Sequence, residues 1–321
     1  MDKNALREEL DRRGFVVVRN LLSPEEVKFY TGKMEELSGI SRADAEKVDK
    51  SGGLGQRGLD KSWNLPDGVT KSRDFWPLIW NETLLDTARA LLGNDDVRYM
   101  QHSDLHVGFS AISWHRDNVN RQLGQGPDWD ESEEPYKILR VGVYLQTYEE
   151  SHFRLGFIPG SHRPVENITF GRKMMEARLK WVGAMSYMFV KLQELASSEA
   201  EWVATEPGDC ILFDPRTIHS GSYIVGPKYS MFVAYGIENK HFFNHFNYYQ
   251  RIRPELGYQE MNPELVQELR ARNLYPENQP EIDEIEGAYV PVSIMRNIVS
   301  RRVKETTGEI AANGDNLSAG D

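Results

Sequence analysis

The chain has 321 residues, 40% of them hydrophobic, which suits one large domain or two modest ones, and a formal net charge of −11. That acidic balance argues against nucleic acid as the main partner, since phosphate recognition draws on clustered Lys and Arg; a small anion stays possible, because a few buried cations can hold one. No run is long and apolar enough to cross a bilayer, and Met1-Asp2-Lys3-Asn4 lacks the apolar stretch of a secretory leader. No membrane association and a cytoplasmic location are therefore expected. The single cysteine, Cys210, lies in the apolar run Cys210-Ile211-Leu212-Phe213 and reads as a small buried hydrophobe.

Leu6 and Leu10 suit a short amphipathic helix broken at Gly14, and Phe15-Val16-Val17-Val18 is a strand-type run. Ser23-Pro24-Glu25-Glu26 then spells a capping box with proline at the first helical position, followed by Val27, Tyr30, Met34 and Leu37 at helical spacing. A glycine-rich irregular stretch spans 51–68, and a helix is expected over 84–92, stopping at Gly93. From 97 to 237 the pattern shifts to strands, expected at 98–107, 138–147, 154–158, 209–213 and 229–237. Many short strands after a helical start predict a β-sandwich or small barrel with helices packed outside. Residues 172–198 carry helix formers and read as a helical insertion, and a further helix fits 263–272. Residues 1–305 are expected to form one domain, with 306–321 a polar, disordered tail. The acidic run 128–134 reads as a solvated loop.

Two letter-matches are discarded on context. Gly53-Leu54-Gly55-Gln56-Arg57-Gly58 spells a dinucleotide fingerprint, but the residues before it are polar and unlike a buried strand. His115-Arg116-Asp117 spells a kinase triplet, but Gln122 stands where a kinase needs its metal-binding Asn. As His-x-Asp on extended backbone the same residues mean more. His115 and Asp117 point to one side and Arg116 to the other, so the first two can share an ion. His219 is the candidate third ligand, behind the turn and apolar run Pro207-Gly208-Asp209 to Asp214. Two imidazoles and one carboxylate form a facial triad that leaves positions open for cosubstrate and dioxygen. The donor set does not name its metal; a Zn- or Mn-holding cupin-like site and a catalytically inactive metabolite sensor stay open beside an oxygenase.

The surroundings of these residues resemble the phytanoyl-CoA dioxygenase family, which includes ectoine hydroxylase. Gly14-Phe15-Val16-Val17-Val18 with Leu21-Leu22-Ser23-Pro24-Glu25-Glu26 is similar to the family's N-terminus, and Trp114-His115-Arg116-Asp117 to its metal motif. Ile158-Pro159-Gly160-Ser161-His162-Arg163 resembles its characteristic turn, and Pro207-Gly208-Asp209 through His219 its approach to the distal histidine. The resemblance covers residues 10–240 or so and implies a double-stranded β-helix (jelly-roll, cupin-like) core that is mainly β with flanking helices. It also implies Fe(II), 2-oxoglutarate and dioxygen, and hydroxylation of a C–H bond. Related halogenases carry a small residue in place of the carboxylate ligand, so Asp117 argues for hydroxylation.

Where the family carries an arginine for the far carboxylate of 2-oxoglutarate, this chain has Lys228, in Gly226-Pro227-Lys228-Tyr229. Lysine keeps the charge and loses the bidentate fork; the bland alternative is a surface lysine in a hairpin. Gln101 is expected to offer a polar contact to the cosubstrate. On its strand Gln101, Ser103 and Leu105 share one face, and His102, Asp104 and His106 the other, where they are either hydrogen-bonded, solvent-facing or a second metal site. Arg140 and Tyr144 share a face that could look into the barrel, making Arg140 either a cosubstrate or substrate contact or a sheet-surface residue. His162 reads as structural. Trp63, Arg57, Arg73, Asn118, Asn120, Arg121 and the stretch 242–246 are candidates to surround a polar, small-molecule substrate. The apolar helix faces leave monomer and homodimer both open.

Overall fold

A computed structural model of the protein describes residues 2–45, 58–111, 113–163, 169–186, 198–258, 260–277 and 279–290. Its strands are β1 (Phe15–Val18), β2 (Gly58–Pro66), β3 (Arg98–Tyr99), β4 (Asp104–Phe109), β5 (Ile138–Tyr144), β6 (Arg154–Phe157), β7 (Glu201–Ala204), β8 (Cys210–Phe213), β9 (His219–Gly221) and β10 (Tyr229–Gly236). All pair antiparallel. The larger sheet has the order β1-β8-β5-β10-β4-β2, with β3 added to β10, and the smaller has the order β7-β6-β9. The two sheets make the expected jelly-roll core.

Side-chain alternation explains why they close on each other. Leu139, Val141 and Val143 on β5, Cys210 and Leu212 on β8, and Val16 and Val18 on β1 face one way. Against them pack α1 (Lys3–Arg13), α2 (Pro24–Ser38) and α3 (Glu82–Leu92), through Leu10, Tyr30, Met34, Leu84, Leu85, Leu91 and others. The intervening residues Phe15, Ile211, Phe213 and Tyr144 face the other way and meet Phe153, Leu155, Phe157 and Val203 around the smaller sheet. Phe15 stacks on Phe157 at 4.1 Å between ring centres. One face of the large sheet is thus sealed by helices, and the other lines the barrel.

Sequence-level caps set the helix ends. Ser23 and Glu26 close a capping box with Pro24 in the first turn of α2, and α1 and α3 stop at left-handed Gly14 and Gly93. The strand expected over 98–107 is divided: β3 ends at Tyr99 and β4 begins at Asp104. The insertion helix α4 runs Phe170–Ser186; residues 187–197, the rest of that expectation, lie outside the described residues, as do the 306–321 tail and residues 51–57, Arg57 included, of the stretch expected to be irregular over 51–68. Residues 58–66 of that stretch form β2 instead. Two further helices, α5 (Lys240–Asn247) and α6 (Pro263–Ala271), follow β10. Among the described residues no helix is long and apolar enough to cross a membrane. The acidic run departs from its expected solvation. Asp128 is fully buried and accepts hydrogen bonds from Asn118 Nδ2 and the Asn120 amide, while Glu131 pairs with Arg216.

Candidate active site

His115 and His219 are cross-bridged: each backbone amide donates to the other's carbonyl, at 3.0 and 2.9 Å. Two residues on, the Asp117 amide donates to Pro215 O at 2.9 Å. This antiparallel pairing brings both imidazoles and the carboxylate to one side. Arg116 points away, donating to Arg216 O and to Glu176. Asp117 Oδ1 lies 3.6 Å from His115 Nε2, and Oδ2 lies 3.6 Å from His219 Nε2. Donor atoms of all three residues fall within 4.8 Å of one another, close enough to share one ion.

The hydrogen bonds behind the two imidazoles suit metal binding. His115 Nδ1 donates to Ser113 O at 2.6 Å and His219 Nδ1 to Thr217 O at 2.9 Å. With that proton fixed on Nδ1, each Nε2 presents a lone pair toward Asp117. Burial and the neighbouring His219 push His115 down to about 4, so its ring is neutral, as a ligand must be. Burial opposes the charge on Asp117, yet His219, His115 and Arg140 hold its carboxyl well below the usual range. A carboxylate and two imidazoles are donors that Fe(II) takes.

Behind the triad lies a cavity of ≈140 Å³ whose walls include His115, Asp117, His219, Arg140, Tyr144 and Lys228. Strand parity fills it. Arg140 and Tyr144 lie on β5, Phe232 on β10 and Phe213 on β8, all on the side away from the helices. Register sets Ser230 between His106 of β4 and Tyr144 of β5. Gly142 leaves room there, since a Cβ would stand 2.8 Å from the Phe232 ring and 3.0 Å from Tyr144 Oη.

Lys228 is 2% exposed, which excludes the surface reading. Its ammonium donates to Phe109 O at 2.8 Å and Ser230 Oγ at 2.9 Å and sits 4.5 Å from the Phe153 ring centre. No carboxylate pairs with it among the described residues, and burial pushes it down to about 7. The Tyr144 hydroxyl is likewise buried with no hydrogen-bond partner. Arg140, buried, donates to His102 O and the Asp104 carboxylate, with Nε 3.8 Å from Asp117 Oδ2.

Other expectations are corrected. Gln101 does not line this cavity; its amide donates to Asp67 at 2.8 Å and its carbonyl accepts from Gln250. The opposite face, His102, Asp104 and His106, lines it instead. Leu105 and Val107 carried that signal in the sequence, because their apolar side must turn to the helices. His102 is hydrogen-bonded to His245 across 2.9 Å and stacks on Tyr249. Asn118 and Asn120 are fully buried scaffolding around Asp128, Arg73 is a surface partner of Glu264, and Trp63, Phe242 and Phe246 pack into cores. Of the described substrate candidates, Arg121 lines a second chamber of ≈370 Å³ that shares Ala111 and His115 with the first. His162 lines a separate cavity near Arg216 and is no ligand of the triad.

A family model described as Phytanoyl-CoA dioxygenase (PhyH) matches residues 10–229, a span holding all three triad residues and Lys228. The chain belongs to this family. Its enzymes are non-haem iron dioxygenases that use 2-oxoglutarate. The chain is similar to the ectoine dioxygenase of Streptomyces coelicolor, 25% identical over 159 residues, which cover 48% of this chain and 49% of that protein. It is also similar to the ectoine dioxygenase of Bordetella bronchiseptica, 22% identical over 233 residues, 70% of this chain and 72% of that protein. The match thus spans about half the length of the first relative and nearly three-quarters of the second. Among solved structures, HygX from Streptomyces hygroscopicus with nickel and 2-oxoglutarate bound has a TM-score of 0.50 at 17% identity, covering 73% of this chain and 86% of that one. At that identity the likeness is one of fold.

Proposed function

We propose that this protein is an Fe(II)- and 2-oxoglutarate-dependent dioxygenase that hydroxylates a C–H bond of a polar small-molecule metabolite. One observation carries the reading. A two-histidine, one-carboxylate face shares a cavity with a buried lysine that has no anionic partner among the described residues. A protein that buries an unpaired ammonium destabilises itself unless a ligand supplies the counter-charge.

In this reading His115, Asp117 and His219 hold the ion and leave its remaining positions to cosubstrate and dioxygen. When bound, iron supplies the redox chemistry that couples decarboxylation of 2-oxoglutarate to oxidation of a C–H bond, releasing succinate and carbon dioxide. The chain's own residues do the rest. Lys228, supported by Ser230 Oγ and by the unpartnered Tyr144 hydroxyl, receives the far carboxylate of the cosubstrate. Arg140 keeps Asp117 ionised and correctly turned through its charge, while Asp104 holds Arg140 in turn. Phe153, Leu155, Phe213 and Phe232 exclude water from the cavity.

Visible spectroscopy under anaerobic conditions tests this. Fe(II) and 2-oxoglutarate together should produce a weak charge-transfer band that neither gives alone. His115→Ala, Asp117→Ala or His219→Ala should abolish it while circular dichroism stays native. A wild-type protein that binds Fe(II) yet shows no band and releases no succinate would overturn the reading.

A further inference from the structure

The ≈370 Å³ outer chamber has an uneven charge. Three cations and one anion line it: Arg116, Arg121 and Lys180 against Glu176. Glu176 is already committed, accepting from Arg116 at 2.7 and 3.3 Å and lying 4.0 Å from Arg172. Arg116 and Glu176 therefore cancel within the wall. Arg121 has no carboxylate partner among the described residues; its guanidinium lies 4.3 Å from the Tyr289 ring centre, and its buried Nε has no hydrogen-bond acceptor. Lys180, exposed on α4, stands at the rim.

A second, independent observation comes from Trp114. This side chain is only 8% exposed and lines the chamber, and its indole N–H has no acceptor among the described residues. An indole N–H only donates, so what it lacks is an acceptor atom. A cationic guanidinium and an unsatisfied donor, both on side chains that line one cavity, call for the same thing: an oxyanion. Ala111, Leu179 and Ile218 add apolar wall, and Ser113, His115 and Tyr289 complete it.

We infer that the outer chamber binds a small organic anion, its carboxylate or phosphate held by Arg121, Lys180 and the Trp114 indole N–H and its apolar body turned toward His115. That the anion is the substrate rests on the dioxygenase reading above; that the chamber binds an anion does not. His115 walls both cavities, so the chamber that holds Arg121 borders the triad. The net charge of −11 does not oppose this. Remote surface charges are screened over about 8 Å at physiological ionic strength, while the chamber's own cations act at contact.

Calorimetric titration of the full-length protein with four probes of one scaffold tests the inference: benzoate, phenyl phosphate, benzamide and benzylamine. Titrations are run with and without anaerobic Fe(II) and 2-oxoglutarate. The anions should bind at least about tenfold more tightly than benzamide, and benzylamine should not bind. Arg121→Gln should cost about tenfold or more in anion affinity. Trp114→Phe keeps the ring, removes the N–H and should cost a few-fold. Lys180→Gln should give a smaller loss that disappears at high salt. A preference for phenyl phosphate assigns a phosphate ester, and a preference for benzoate a carboxylic acid. Benzamide binding as tightly as benzoate, or unchanged anion affinity in Arg121→Gln, overturns the inference. The charge-transfer band separates the two readings: anion binding without a band sinks the dioxygenase reading alone, and a band without anion preference sinks this one alone.

Discussion

At the scale of single residues, Lys228 ties stability to function in opposite directions. Folded, its ammonium titrates at about 7; unfolded, it returns to about 10.4. Between those values the unfolded chain holds a proton that the folded chain lacks, so the ligand-free protein gains stability as pH rises across that window. Below about 7 the whole burial penalty is present. Lys228→Met should therefore stabilise the ligand-free protein at pH 6.5. About 4–5 kcal/mol of penalty is removed, offset by roughly 2 kcal/mol for orphaning Phe109 O and Ser230 Oγ. The same variant should lose 2-oxoglutarate binding, and wild-type affinity should weaken by up to about tenfold per pH unit above pH 7. Urea denaturation and calorimetry with 2-oxoglutarate check both halves. A variant that is stabilised and still binds normally would make Lys228 a passenger. The motif His115-x-Asp117 and the distal His219 were legible as candidate ligands because their chemistry is local: residue type, alternation and a preceding turn. That Lys228 has no carboxylate beside it and the Tyr144 hydroxyl no partner among the described residues was not, since both depend on what separate strands bring near them.

At the scale of elements, the turn before β8 shows how one glycine fixes the strand that leads into β9, where His219 stands. Gly208 has φ +90° and sits so close to the preceding segment that a Cβ would stand 2.5 Å from Leu22 O. Its amide donates to Tyr144 O and its carbonyl accepts from Leu22 N, so it joins β5, β8 and the entry to α2. Gly208→Ala should cost about 2–4 kcal/mol, combining left-handed strain with a clash against backbone. Gly39→Ala is the control. It too has positive φ, +66°, but nothing lies within 4 Å of its added methyl, so only about 1 kcal/mol should be lost. Equal losses in thermal denaturation would refute this account of Gly208. Element existence was readable from caps and period, as α2 and β5 show. The division between β3 and β4 was not. Met100 to Ser103 leave the sheet because Asp67 and Thr70 offer them tertiary hydrogen bonds, through Gln101, Ser103 and the Ser103 carbonyl.

For the whole molecule, the layer of α1, α2 and α3 on one sheet face and the inter-sheet core on the other are complete without an ion. Chelation should therefore leave the fold intact. Protein stripped with EDTA should keep its far-ultraviolet circular dichroism and a cooperative melt. Adding Fe(II) and 2-oxoglutarate anaerobically, each at about a hundred times its Kd, should raise stability by about 2.7 kcal/mol or more and Tm by several degrees. Loss of the cooperative transition on chelation would show that the metal organises the core.

The sequence by itself determined the local terms: the capped helices, the alternating strands, a candidate ligand triad whose chemistry is written in three side chains, and an acidic balance of charge. Parity also placed Arg140 and Tyr144 on one strand face. Tertiary structure decided which face of each strand is the inside. Leu105 and Val107 must meet helices that lie elsewhere in the chain, and this turned His102, Asp104 and His106 inward and Gln101 out of the cavity. It also decided which charges stay unpaired. Asp128 and Arg116 find partners at long range, whereas Lys228 and Arg121 find no carboxylate among the described residues. Alternation is a property of the backbone and can be read along the chain; pairing is a property of three-dimensional proximity, and only the closed barrel sets it.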